Sequence, residues 1–498
     1  MASVTTEDLR RDEIMTFPLI PPIAALPLDS GLLEISHRIA AKDASIWGPN
    51  SEAPTRLGWV DLAESSRALL PTLDALEAKA RNLGIDRVVL SGMGGSSLAP
   101  EVIARTMRES ASRQFVILDS TDPHYVNSHL HVDLSKTLFV ISSKSGTTIE
   151  TTSHLALIEK RLSDAGINAE DHIIVVTDPG SPLAAVAADK KWTTIEGDPM
   201  VGGRFSALSA FGLTPAALIG IDPSILLDDA SEMLDSIHES AVRLATYLAP
   251  HRYIYFTDSK ERFPGLADWI EQLIAESTGK QGKGLLPIAI TDVDEHLSLP
   301  VIDLSEIIDA PIGAQFILWE WVTALLGYIH GVDPFDQPDV QATKLRTMEV
   351  LGSLSSKMEH ASLAIPDLKS ELGHALKNRE YLAVCAFLDP VRDHDLVQIR
   401  HLLELCFNKP VSFGWGPRYL HSTGQFHKGG PNSGVFLSIT VRNEDSGLIP
   451  GKPYGLDFLI HAQAEGDKRA LMERGNPVIS VELEQATEFQ RLIDEFSV

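Results

Sequence analysis

Cysteine is nearly missing from this 498-residue chain, which has only Cys385 and Cys406. Two thiols cannot build a disulfide framework and fit a reducing compartment, so a cytoplasmic location is expected. Positive charge is scarce as well. Lysine and arginine number 42 against 68 aspartates and glutamates, a formal charge of −26. That balance argues against a nucleic-acid backbone as partner, because binding phosphates in series needs a basic surface. The opening residues, Met-Ala-Ser-Val-Thr-Thr-Glu-Asp, lack a basic stretch followed by an apolar run, so no secretory leader is expected. One apolar run, residues 312–330, has the length of a membrane span, but Glu320 stands at its centre and its flanks are acidic. It reads as a helix buried between protein layers, and no membrane partner is expected. Solenoid repeats and low-complexity tracts are also absent.

With 44% hydrophobic and 22% charged residues, the composition is that of a globular protein. The length is more than one core normally serves, so two or three domains are expected. Residues 1–80 are helical in pattern, with prolines at Pro18, Pro21, Pro22 and Pro27 near the start. Short apolar runs then alternate with helical stretches at 87–91, 115–119, 137–143, 173–178 and 193–196. Near-continuous apolar strands between helices are what a parallel sheet covered on both faces requires. Residues 81–222 therefore read as a doubly wound α/β domain. A second α/β unit, 223–355, opens with a long helix around 224–248 and has strands at 253–257 and 286–291. Its last helix is expected to start near Asp336 as cap, with Pro338 in the first turn. Residues 356–498 add strands at 382–388, 434–441 and 478–481.

Several motifs carry chemistry. Ser91-Gly92-Met93-Gly94-Gly95-Ser96-Ser97 joins a strand to a helix, where glycines let a ligand approach the backbone and the helix start favours an anion. A dinucleotide fingerprint would need a third glycine or alanine where Ser97 stands. A bare tight turn would look the same. Ser142-Ser143-Lys144-Ser145-Gly146-Thr147-Thr148-Ile149-Glu150-Thr151 collects five hydroxyls and a lysine ahead of a helix, a cradle for one phosphate group. It is not a Walker loop, and a Ser/Thr-rich cap is the plainer alternative. Gly202-Gly203-Arg204-Phe205-Ser206 allows a guanidinium to be aimed into a cleft, or leaves a surface arginine. Gln272 and Glu276 share a helical face at i, i+4, and Gly279 ends that helix. A partly desolvated carboxylate there is a possible general base, whereas a lone glutamate at a helix end is usually just solvated. Phe335-Asp336-Gln337-Pro338 precedes Lys344 by two helical turns, so Gln337 and Lys344 would share a face if the helix is regular. Among 17 histidines, His421 stands out in the polar loop 419–430. No metal-ligand spacing and no Gly-x-Ser-x-Gly elbow occurs, so no cofactor or metal is expected.

Five of these motifs in register resemble the sugar isomerase family, in its glucose-6-phosphate isomerase branch: Gly94-Gly95-Ser96, Ser143–Thr151, Gly202–Ser206, Glu276-Ser277-x-Gly279-Lys280, and Phe335-Asp336-Gln337 with Lys344. The stretch from Trp415 to Asn432 is similar to the isomerase half of bifunctional transaldolase–isomerase proteins. The resemblance implies two sugar-isomerase domains with mainly parallel sheets, preceded by a helical segment and completed by 356–498. It implies a metal-independent, cofactor-free exchange of glucose 6-phosphate and fructose 6-phosphate through a cis-enediolate. By carry-over, Ser143, Ser145 and Thr148 with Lys144 hold the phosphate, while Gly95, Ser96 and Gly203 flank the sugar. Glu276 moves the proton, Arg204 steadies the enediolate, and Lys344 and His421 open the ring. Gln272, Glu150 and Gln337 place hydroxyls. The ring-opening histidine usually precedes the Phe-Asp-Gln motif, where His296 stands here. The His-x-x-x-Gln-x-x-x-x-Gly pattern fits His421, Gln425 and Gly430 instead. Sequence leaves open whether His421 serves its own chain or a partner in a homodimer. Two alternatives remain: an isomerase that also takes mannose 6-phosphate, and a non-catalytic phosphosugar-binding regulator, which would have no need of Glu276, Arg204 and Lys344 together. Lys144, Arg204, Lys280 and Lys344 all fall inside motifs, so a positive focus within an acidic shell is expected.

Overall fold

The computed structural model describes residues 19, 23–291, 299–353, 362–442, 446–485 and 488–497. The opening residues, Pro18, Pro21, Pro22, His296 and the boundary at 355/356 lie outside the described residues. The first five strands are β1 (Arg87–Ser91), β2 (Gln114–Leu118), β3 (Thr137–Ser142), β4 (Ile173–Thr177) and β5 (Thr193–Glu196). They form one all-parallel sheet in the order β2-β1-β3-β4-β5. All six residues of β3 are buried, as are the last four of β1. Burying a Val, Leu or Ile side chain fully contributes roughly 1.5–3 kcal/mol, which is why such runs settle at the centre of a sheet. The strand order reverses between β1 and β3. In open α/β sheets the crevice at the carboxyl ends of such a pair is where ligands bind. Gly94-Gly95-Ser96 follows β1, and the Ser/Thr loop follows β3.

The remaining strands are β6 (Tyr253–Thr257), β7 (Leu286–Ala289), β8 (Val301–Asp303), β9 (Tyr381–Phe387), β10 (Val411–Trp415), β11 (Gly434–Val441) and β12 (Val478–Leu483). Hydrogen bonds divide them into two further parallel sheets, β7-β6-β8 and β10-β9-β11-β12. These two share one core, in which Tyr253, Tyr255, Leu286 and Ile288 meet Tyr381, Ala383, Cys385 and Phe387. The short β8 and the Gly- and Ser-containing β10 escaped the sequence pattern, and β7 ends at Ala289 rather than at 291.

The long helix expected at 224–248 is two helices, Pro223–Met233 and Ile237–Leu248. Tight bonds from the Asp235 and Ser236 amides to the Glu232 and Met233 carbonyls break it. Helix Ile312–His330 is long and apolar enough to cross a membrane, yet 89% of its most apolar window is buried. It packs against Pro223–Met233, Ile237–Leu248 and Leu266–Thr278. The helix expected to open at Asp336 begins at Val340 instead, running Val340–Ser353. The Asp336 carboxylate does not cap it, because that group accepts a 2.6 Å bond from the Lys280 ammonium. Gln337 therefore precedes the helix that carries Lys344, and the two do not share a helical face.

Candidate active site

The first two walls are loops at the carboxyl ends of β1 and β3. Gly94 takes a positive φ of +55°, a conformation glycine adopts without strain. A Cβ on Gly95 would lie 2.0 Å from the Gly203 carbonyl oxygen, so the Gly-Gly-Ser and Gly-Gly-Arg motifs are two loops pressed backbone to backbone. After β3, the Ser143 and Thr148 hydroxyls lie 3.0 Å apart and those of Ser145 and Thr147 3.1 Å apart. Thr148 is the N-cap residue of the 16-residue helix Ile149–Asp164 but spends no side-chain bond on capping it. First-turn amides and paired hydroxyls thus gather at a helix N-terminus, the arrangement that suits a phosphate group. The Lys144 ammonium is held by Asp178 at 2.5 Å and by the Asp198 carbonyl at 3.0 Å. Burial moves its pKa below the ordinary lysine value, against the pull of Asp178.

The third wall is helix Leu266–Thr278. Gln272 and Glu276, one turn apart, are joined by a 3.2 Å bond from Nε2 to Oε2. The other Glu276 oxygen lies 3.3 Å from the Arg204 guanidinium, and both side chains are buried. Arg204 also donates to the Ser277 hydroxyl at 2.8 Å and to the Pro334 and Asp336 carbonyls at 2.6 and 2.9 Å. Its five donors fix it in one orientation. The Gln272 Oε1 is buried with no partner among the described residues. Lys280 lies behind this group, held by the Asp336 carboxylate and carbonyl and by the Asp333 carbonyl. Burial, reinforced by the nearby Arg204, brings its pKa down to about 8 despite Asp336.

The fourth wall comes from the C-terminal part of the same chain. His421 ends the turn Arg418–His421, and its Nε2 lies 3.0 Å from Glu150 Oε1. Its carbonyl accepts a 2.8 Å bond from Gln272. Glu150 is fully enclosed, which raises its pKa, but the His421 imidazole and more distant Lys344 outweigh burial and hold it below the usual range. Lys344, close enough to act on Glu150, and Gln337 are both exposed. The geometry thus brings Gly95, Glu150, Gly203, Arg204, Gln272, Glu276 and His421 together within one chain, with the Ser143–Thr148 loop beside Glu150.

Several residues of this arrangement went unassigned in the sequence. Gln425 lay inside the His421 motif without a role. It clamps the end of the Glu276 helix, donating to the Gly279 carbonyl at 2.9 Å and to Asp339 at 2.7 Å. Gln463 donates to Glu150 at 2.7 Å and accepts from Thr121 at 2.6 Å. Lys428 and the Tyr419 hydroxyl both reach Asp467 at 2.6 Å, anchoring the loop that carries His421. His427, buried and stacked on Tyr381, has its pKa pushed down to about 3 by burial and Lys428, which keeps it neutral and structural. Gln425 was visible as part of the spaced motif, but Gln463 and Asp467 sit mid-helix with no sequence signal.

One expectation is corrected. The motif cations do not make a bare positive focus: Arg204 faces Glu276, Lys280 faces Asp336 and Lys144 faces Asp178. Burying a cation in an acidic protein requires a carboxylate partner, so these three arrive already paired, while the fourth, Lys344, is exposed. A cleft of about 730 Å³ adjoins this region, lined by Lys280, Asp336, Asp339, Lys428 and Arg474 among others, but it includes none of Glu276, Arg204, His421 or Ser143.

A glucose-6-phosphate isomerase structure from Chlamydia trachomatis superposes with a TM-score of 0.52 at 18% identity, covering 66% of this chain and 85% of that one. Residues 71–249 match the model of the family described as Phosphoglucose isomerase. Over 260 residues the chain is 36% identical to the glucose-6-phosphate isomerase of Thermus thermophilus, covering 50% of this chain and 60% of the relative. Over 216 residues it is 35% identical to that of a Cyanothece species, covering 39% and 40%. The chain thus spans little more than half the length of the curated relatives it matches first, 52% and 60% of two of them.

Proposed function

We propose that this chain is an aldose–ketose isomerase that interconverts glucose 6-phosphate and fructose 6-phosphate. The observation that carries the reading is the buried Gln272–Glu276–Arg204 group, set within one chain beside the Ser/Thr loop and the His421–Glu150 pair. Ser143, Ser145 and Thr148 grip the phosphate far from the reacting carbons, so remote binding energy orients C1 and C2. Lys144 supports the loop through Asp178 and Asp198. Gly95, Ser96 and Gly203 line the sugar, and Gln337 and Lys344 close the rim. His421, oriented by Glu150, and Lys344 move the proton that opens the ring.

Glu276 then takes the C2 proton and returns it at C1. While it is a carboxylate, Arg204 balances its charge. As it accepts the proton it becomes neutral, and the negative charge passes to the enediolate, still within reach of the same guanidinium. Charge moves within a fixed field instead of being created in a dry site, which is the condition for effective electrostatic stabilisation. The free Gln272 Oε1 is an acceptor for a substrate hydroxyl. Residues 81–222 and 223–355 supply the two main walls and 356–498 the His421 loop, so this division of the chain goes with the reading.

The test is a coupled assay on chelator-treated protein with glucose 6-phosphate and, in reverse, fructose 6-phosphate. Turnover in both directions is expected. A protein that binds either sugar phosphate without converting it would be a regulator on the same fold, and the proposal would fall.

A further inference from the structure

A second cluster lies where the first sheet meets the C-terminal one, away from Glu276. Asp122 follows β2 and caps helix Pro123–Leu130 with one oxygen, Oδ1, which accepts the Tyr125 amide at 2.9 Å. Its other oxygen, Oδ2, is buried and has no partner among the described residues. Asp389, just past β9, is also buried. One of its oxygens accepts the Val391 and Arg392 amides at 2.8 and 3.0 Å, and the other lies 2.5 Å from His124 Nδ1. One donor atom from each of Asp122, His124 and Asp389 lies within 4.8 Å of the other two. The nearest cation, Arg392, is spent on Asp393, with bonds of 2.7 and 2.6 Å. With a neutral imidazole, Asp122 and Asp389 crowd two carboxylates into a buried place where Arg392, bonded to Asp393, acts on them only from a distance. That is costly unless a cation sits there.

We infer that Asp122, His124 and Asp389 form a binding site for one first-row divalent cation that ties the first sheet to the C-terminal one. One imidazole and two carboxylates are a donor set that suits zinc, cobalt, manganese or ferrous iron. Two carboxylates neutralise the ion's charge, and the orphan Asp122 Oδ2 gains the partner it lacks. His124 is the mobile member, because its side chain is 56% exposed. Ligands at about 2.0–2.2 Å from an ion stand roughly 3 Å apart at right angles, so its ring must swing outward by about half an ångström from Asp389. Solvent on that side fills the remaining positions with water. The site is structural. It touches the catalytic group only through the chain, since Thr121, beside Asp122, holds the Gln463 that in turn holds Glu150. It does not rest on the proposed reaction.

The experiment uses the full chain, stripped with chelator, dialysed and titrated with Co²⁺ alone. Expected are one equivalent bound, visible d–d absorption of a nitrogen- and oxygen-ligated ion, and a rise in Tm. His124→Ala, a change at an exposed side chain, should weaken binding by at least about tenfold and abolish the absorption while far-UV circular dichroism stays native. Asp122→Asn should do the same. The inference is overturned if the wild type binds no cobalt under these conditions, or if both variants bind it as tightly as the wild type.

Discussion

Replacing Gly95 with alanine asks whether two loop backbones must touch for the site to work. A Cβ at Gly95 would stand 2.0 Å from the Gly203 carbonyl oxygen and 2.4 Å from its carbon. Real Cβ contacts do not fall below 3.0 Å, so the loops must part by 3.0 − 2.0 = 1.0 Å at least. Neither partner is a flexible side-chain tip, and Gly203 leads directly into Arg204. Overpacking of this kind costs about 1–3 kcal/mol in stability. Displacing a catalytic guanidinium by 1 Å costs about a hundredfold in rate, or ~2.7 kcal/mol. The matched control is Gly203→Ala. A Cβ there meets nothing within 4 Å, so the fold should be untouched and only KM should rise as the methyl intrudes on the sugar. Steady-state kinetics on both variants, with thermal melts alongside, read the contrast. If Gly95→Ala keeps the wild-type kcat/KM, the two loops are not a rigid wall and the account of Arg204 placement is wrong.

Other consequences follow from particular groups. Glu320 is fully buried, neither of its oxygens has a partner among the described residues, and burial pushes its carboxyl well above the usual range. As pH rises past the unfolded value, the unfolded chain releases a proton that the folded chain must keep. Stability therefore falls with rising pH, by about 1.4 kcal/mol per unit, up to the folded pKa. Glu320→Gln should remove that slope, so its Tm advantage over wild type should widen between pH 5 and pH 7; a gap independent of pH would contradict it. Gln463→Leu deletes the 2.7 Å bond to Glu150, and a hydrogen bond to a charged group is worth about 1.5–3 kcal/mol. The change also strands the Thr121 hydroxyl, so Tm should fall, and kcat/KM should drop roughly ten- to a hundredfold, as melts and kinetics will show. Finally, Gln272 bonds both Glu276 and the His421 carbonyl within one chain, so mixing inactive His421→Ala and Glu276→Gln chains should restore nothing. Recovered activity on mixing would mean that the histidine crosses a subunit interface.

The sequence announced the first sheet because its strands are buried on both faces, which leaves continuous apolar runs such as those of β1 and β3. The same physics hid β10, whose Gly414 and Ser412 break the run, and the kink at 234–236, where backbone bonding rather than composition stops a helix. Motif spacing brought out the Ser143 loop, Glu276 and His421, since each has a local reason for its residues: a helix start, an i, i+4 pair, a glycine-rich loop. The supporting groups have none. Gln463 and Asp467 lie on helix Leu456–Glu473, where a polar residue reads as surface, and only its docking against Thr121, Glu150, Tyr419 and Lys428 makes them interior. Asp336 looked like a helix cap because Asp before a helix usually is one. The buried Lys280 claimed it first.

The central claim is that Glu276 is the base that carries the proton. Its most direct test is Glu276→Gln, in which shape and the Gln272 neighbour are kept and only the titratable oxygen is lost. Turnover of glucose 6-phosphate should fall by at least about 10²–10⁴-fold, while the Kd for the sugar phosphate, measured by calorimetry, stays close to that of the wild type. Turnover near wild type, or a loss of affinity that accounts for the whole defect, would contradict the account.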